Sequence, residues 1–112
     1  MDSNATLPSV GQTWQADLGP DSPLGHFTVD ITFDSPTQVS FEVTGGAIKG
    51  RKQTMEYTTT QLRDGLYVVR WTEPDAGDHV THIEDYTEGT CMASSVIGGQ
   101  FVQLHGKWTR VR

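Results

Sequence analysis

Apolar and polar residues alternate along this chain with a period of two. Between residues 26 and 33, Phe27, Val29, Ile31 and Phe33 fall on one side, and His26, Thr28, Asp30 and Thr32 on the other. Such alternation predicts a β-strand with one buried face. The same pattern recurs over Gln12–Leu18, with Trp14, Ala16 and Leu18 on one face, and over Gln38–Val43, with Val39, Phe41 and Val43 inward. A fourth strand is expected at Lys52–Leu62, where Met55 and Tyr57 are the apolar members. A fifth, Leu66–Glu73, is apolar on both faces and carries Tyr67, Val69, Trp71 and Glu73 on one of them. His79–Tyr86, Thr90–Ile97 and Phe101–Arg110 complete eight strands. No window places apolar residues at i, i+3, i+4 and i+7 over three turns, so no helix is expected.

Turn clusters separate these runs: Gly19 to Pro23, Asp34-Ser35-Pro36, Arg63-Asp64-Gly65, Pro74 to Asp78, Glu88-Gly89 and Gly98-Gly99. Short turns between successive strands make an antiparallel meander. Such a sheet hides its edges completely only by closing into a barrel. The predicted fold is therefore all-β: one antiparallel eight-stranded meander barrel over residues 11–112, with residues 1–10 a polar leader expected to fray. Eight strands enclose room for side chains or one small ligand, which directs the search for function to the interior and its mouth.

Composition narrows the choice of partner. The 112 residues include fourteen acidic and eight basic side chains, a formal net charge of −6. That balance argues against a nucleic acid held through its phosphates. No apolar run approaches the roughly 20 residues of a membrane-spanning helix, and no membrane partner is expected. Met1 is followed by polar residues rather than a basic region and an apolar stretch, so the expected location is the cytoplasm. The single cysteine, Cys91, leaves no internal disulfide and no Cys-rich zinc site, and it reads as a packing residue.

Polar residues on otherwise apolar strand faces carry the candidate chemistry. Glu73 ends the Tyr67–Val69–Trp71 face. If the strand persists, its carboxylate lies at the barrel interior beside Trp71, where burial favours a general acid or base. If the strand stops earlier, Glu73 begins a solvated turn before Pro74. Arg51 follows Gly50 in a glycine-rich bend and can clamp a carboxylate through both guanidinium nitrogens; the alternative is a surface Arg beside Lys49 and Lys52. His82 and Glu84 share a face with Val80 and Tyr86. Two ligands fall short of the three that a catalytic zinc site needs, so no metal is expected and His82 reads as a polar pocket group. Gly98-Gly99 is a hairpin turn, because no helix follows it to cradle a phosphate.

Three segments carry a resemblance to known proteins. Gly45-Gly46-Ala47-Ile48-Lys49-Gly50-Arg51, then Asp64 to Pro74 with its Trp71-Thr72-Glu73-Pro74, then Val80-Thr81-His82-Ile83-Glu84-Asp85-Tyr86 resemble the MoaF-like proteins and their relatives, the phenolic acid decarboxylases. The resemblance runs from Gly11 to Trp108 and is specific in the middle half. It implies a small lipocalin-like barrel of the calycin type. It also implies that Arg51 and Glu73 match an active-site pair that removes CO₂ from a hydroxycinnamic acid without a cofactor, by proton transfer to the vinyl carbon and a quinone-methide intermediate. Those decarboxylases have a Tyr pair in their first strand and a longer C-terminal part. Here residues 13–18 contain no Tyr, and the C-terminal extension is missing.

Two functions follow as expectations. One is a cofactor-independent acid–base lyase or isomerase acting on a small hydrophobic or aromatic carboxylate or enolisable substrate. Glu73 and Arg51 would be its catalytic residues, with Tyr67, Trp71, His82, Trp14 and Tyr57 contacting the substrate. The other is a non-catalytic lipocalin-like carrier or sensor of a hydrophobic molecule. A filled barrel acting as an interaction subunit is a third, blander option. A homodimer is compatible with the pattern, though no residue specifies it.

Overall fold

The structure, a computed structural model, describes all residues except Met1, Asn4, Asp21 and Ala76; Asp2 and Ser3 are described through their backbone alone. The described residues form ten strands: β1 (Asp2–Ser3), β2 (Thr13–Asp17), β3 (Thr28–Phe33), β4 (Gln38–Gly45), β5 (Lys52–Glu56), β6 (Thr58–Arg63), β7 (Leu66–Thr72), β8 (His79–Asp85), β9 (Thr90–Ile97) and β10 (Gln100–Arg110). All belong to one antiparallel sheet in the order β1-β6-β7-β8-β9-β10-β2-β3-β4-β5. The expected meander is present, and β10 joins its two halves by pairing β9 along most of its length and β2 at its end.

The strands form where the alternation lies. β3 buries Val29, Ile31 and Phe33, β4 buries Val39, Phe41 and Val43, and β7 buries Tyr67, Val69 and Trp71. These inward residues make one continuous core. Removing such apolar surface from water is the main force holding the sheet in its curl.

Two details differ from the eight-strand expectation. The expected fourth strand is divided at Tyr57 into β5, which pairs with β4, and β6, which pairs with β7. One half thus forms an edge of the curled sheet, and the other lies next to the opposite edge, where β1 pairs with it. Burial still alternates across the division, since Met55, Tyr57 and Thr59 all point inward. Periodicity therefore carried no sign of it. The second difference lies in the segment expected to fray. Met1 and Asn4 are outside the described residues, but β1 pairs with β6, and Leu7 and Ser9 are buried. The Ser9 hydroxyl lies 2.7 Å from the Tyr86 hydroxyl. A lone Leu in polar surroundings has no periodicity to announce it, yet its burial still contributes to stability.

Aromatic rings close this end of the barrel. Trp14 stacks on Trp108 at 5.5 Å, and Tyr86 stands edge-on to both. Phe33 meets Tyr57 and Trp108 edge-on. Gly106 lets β10 approach β2 here: a Cβ at this position would overlap the Asp17 carbonyl. Among the described residues, no helix is long and apolar enough to cross a membrane.

Candidate active site

Strand register orders the interior from one end to the other. Across β7 and β8 the inward pairs are Trp71 with Val80, Val69 with His82, and Tyr67 with Glu84. Across β8 and β9 they are Val80 with Ser95, His82 with Ala93, and Glu84 with Cys91. Glu73 continues the β7 face toward the open end, whereas Glu84 approaches the aromatic plug. Between them lies a cavity of about 60 Å³, walled mainly by Leu18, Val29, Ile31, Val43, Trp71 and Leu104, with Arg51, Glu73, His82 and Ser95 among its polar members.

Both readings offered for Glu73 hold in part. It lies one residue beyond β7, yet its amide donates to the Asp78 carbonyl at 2.8 Å, and its own carbonyl accepts from the Gly77 amide. These bonds prolong the extended chain by one residue, so Glu73 still points inward and is only 7% exposed. Its carboxylate accepts from the Arg51 Nη2 at 2.7 Å and from the Trp71 indole Nε1 at 3.3 Å.

Arg51 arrives from the loop after β4. That loop closes through Lys49 N to Gly46 O, Gly50 N to Val43 O and Arg51 N to Ile48 O. Gly50 has φ +95°, a left-handed conformation that costs glycine little and other residues more. This turn sends the Arg51 side chain over the Phe41 ring, 5.8 Å from its centre. The guanidinium is bidentate to Asp75, with Nη1 and Nη2 each 2.8 Å from a carboxylate oxygen, while Nη2 also serves Glu73. Hydrogen bonds first to Asp75 and then to Glu73 raise the Arg51 pKa above its ordinary value. It is cationic at every accessible pH. Sequence reasoning brought Arg51 and Glu73 together but missed Asp75, an acid in an unremarkable turn.

A second polar chain lies deeper. His82 Nδ1 is 3.4 Å from Glu84 Oε2, and the Tyr86 hydroxyl donates to Glu84 Oε1 at 2.8 Å. Glu84 is fully buried. Burial, and next the Glu84 charge, push the Tyr86 phenol well above its ordinary pKa. The same two causes raise the Cys91 thiol to about 12. Glu84 shares the inward face of β8 with His82, so alternation could have singled it out as an interior carboxylate. His82 also meets the Trp71 ring edge-on at 5.0 Å, which connects the two polar groups through one indole.

Of the residues expected to contact substrate, Trp71 and His82 line the cavity. Trp14, Tyr57 and Tyr67 are not among its lining residues. Trp14 donates its indole N–H to Gln12 and stacks in the plug. Tyr57 donates to the Ser35 carbonyl, and burial raises its phenol to about 12. Tyr67 packs edge-on against Tyr86. Among the described residues, no group of three or more His, Cys, Asp or Glu side chains converges on a metal-sized site.

The sequence model of the MoaF-like family matches residues 11–109. The fold is also close to the crystal structure of a provisionally assigned β-lactamase from Burkholderia vietnamiensis. The TM-score is 0.83 at 23% identity, over 96% of this chain and 99% of that one. No curated protein matches the chain. At that identity, the likeness to the Burkholderia protein is one of fold.

Proposed function

The chain belongs to the MoaF-like family, and from that premise we propose that it is a small-molecule-binding barrel performing cofactor-independent acid–base chemistry at the mouth of its interior cavity. The observation that carries this reading is the Arg51–Glu73 contact at 2.7 Å, beside the cavity that both residues line. Structural ion pairs need no cavity. A buried carboxylate between a guanidinium, an indole N–H and an apolar void is a proton-transfer group in a water-poor setting.

Each residue then has a role. Glu73 accepts and returns a proton. Arg51 holds one Glu73 carboxylate oxygen in place, and Trp71 orients the other. Asp75 occupies the outward fork of Arg51, so a substrate carboxylate would reach that fork only by displacing Asp75, whose side chain is 46% exposed. The substrate class is accordingly a small enolisable compound, either neutral or able to compete with Asp75. The cytoplasm is the proposed setting. A ligand-induced change in tryptophan fluorescence, with product formation followed by mass spectrometry, tests the reading across small enolisable ketones and 2-oxo acids. Glu73→Gln is expected to abolish turnover while binding and fold persist; full activity in that variant would overturn the mechanism.

The carrier reading draws on a different feature of the same site. Both terminal nitrogens of Arg51 are already satisfied within the protein, a closed arrangement that a pure binding barrel would also tolerate. Tight binding without product in any assay selects that alternative.

A further inference from the structure

Two buried polar side chains of the cavity wall belong to neither the Arg51 network nor the plug. Ser95, 5% exposed, lines the cavity, and its hydroxyl makes no hydrogen bond to the described residues. His82, 3% exposed, lines it too. Its Nδ1 faces Glu84, while its Nε2 has no partner among the described residues. Neither Ser95 Oγ nor His82 Nε2 is sealed inside the wall, so a ligand in the cavity that both residues line can supply the missing bonds.

Their spacing suits a single group. His82 is directly opposite Ala93 on β9. Ser95 is therefore its diagonal neighbour on the same inward face, about 7 Å away between α-carbons and closer at the side chains. Glu84 accepts from the Tyr86 hydroxyl, and as a carboxylate it has only acceptors to offer His82. In the neutral imidazole Nδ1 then carries the proton, and Nε2 keeps a lone pair free for a ligand. Ser95 offers a hydroxyl that can donate. One acceptor beside one donor is the complement of a ligand hydroxyl, which donates to His82 Nε2 and accepts from Ser95 Oγ.

Charge and volume restrict the rest of the molecule. Carboxylates stand at both ends of this interior, Glu73 and Glu84, and Arg51, the one Lys or Arg lining the cavity among the described residues, is already paired. An anion entering between them would meet like charge at low dielectric. A void of about 60 Å³ is less than half the roughly 150 Å³ of an apolar cavity that takes benzene, so an aromatic ring does not fit at this depth.

We propose that His82 and Ser95 form a hydroxyl-recognition subsite for a small, neutral alcohol or enol, with Glu84 as the positioning residue that sets the His82 tautomer. The proposal rests on the reading of the cavity as a ligand site and identifies what that ligand presents at its inner end. The enol form of an enolisable substrate offers the same group.

Three probes of nearly equal size and shape separate the possibilities: propan-2-ol, acetone and acetate. Each is titrated into isotope-labelled full-length protein and followed by amide and imidazole chemical shifts. Propan-2-ol is expected to shift Ala93, Ser95 and His82 and to bind about fivefold tighter than acetone, the worth of one net hydrogen bond, with acetate weaker still. Ser95→Ala should weaken propan-2-ol and acetone about equally, since both accept from the Ser95 hydroxyl. Nitrogen shifts should show Nε2 unprotonated in the wild type. In Glu84→Gln, the Gln amide oxygen accepts from Tyr86 and its NH₂ donates to His82 Nδ1, so the proton should move to Nε2. Equal or tighter binding of acetate or acetone overturns hydroxyl recognition. Retention of the preference for propan-2-ol in Glu84→Gln, or undiminished binding of both probes in Ser95→Ala, overturns the subsite while the cavity reading stands. If no probe shifts any cavity residue, both fall together.

Discussion

Arg51→Met tests the electrostatics of the mouth, because it keeps the apolar stem over Phe41 and removes the guanidinium. Glu73 then loses its 2.7 Å partner and keeps only the Trp71 indole at 3.3 Å. A charged group deprived of a charge-assisted bond in a dry interior costs about 1.5–3 kcal/mol, and a fully buried broken ion pair costs more. Here the Glu73 side chain is 10% exposed and that of Arg51 26%, so solvent screens part of the loss and about 2 kcal/mol is expected. Asp75 adds little, since its side chain is 46% exposed and solvent screens its charge. For a chain of this length the loss corresponds to about 8 °C in Tm. Urea unfolding at neutral pH gives a cleaner reading, as a lower midpoint at unchanged slope. The decisive variant is the double substitution Arg51→Met with Glu73→Gln. A neutral amide beside Trp71 no longer needs the cation, so the double variant should recover at least about 1 kcal/mol relative to Arg51→Met alone. Additive losses in the cycle would refute the claim that Arg51 offsets a buried Glu73 charge.

Other parts of the barrel make their own predictions. Hydrogen bonds from the Gly19 amide and then from His26 lower the Asp17 pKa below its ordinary 3.8. Its folded value is the lower one, so its contribution is complete above about pH 3.8 and is lost as pH falls through the folded value. The stability difference between wild type and Asp17→Asn should therefore vanish on acidification. Cys91 is buried with a thiol raised to about 12, so it should resist alkylation at about pH 8 until the chain unfolds; rapid native-state labelling would contradict its placement. Gly106→Ala should destabilise the protein by more than 2 kcal/mol, because its new methyl group overlaps the Asp17 backbone, and thermal unfolding would detect the shift.

Much of this architecture is legible in residue alternation, because a barrel wall with one buried face writes its period directly into the chain. Each expected strand is present, the fourth as two, and the inward side of β3, β4 and β7 follows from Val29, Phe41, Val69 and their neighbours. The inward Glu73 was legible for the same reason. What alternation does not encode is position along the barrel axis. Trp14, Tyr57, Tyr67 and Trp71 all look alike as inward aromatics, yet only Trp71 meets the cavity, because the others lie toward the end that Ser9 and Trp108 close. Turn residues are equally silent. Asp75 becomes the bidentate partner of Arg51 only when the loop after β4 and the turn after β7 meet at one end of the sheet.

Ala93 lies directly opposite His82 on the cavity wall, so Ala93→Leu fills the void while leaving Arg51, Glu73 and the plug residues unsubstituted. Calorimetric titration of this variant and of the wild type with the best-bound small alcohol or ketone tests most directly whether the interior is the functional site. The expected result is loss of at least tenfold in affinity, together with any turnover, in a variant whose spectrum and cooperative unfolding remain native. Undiminished binding to a barrel whose cavity has been filled would contradict it.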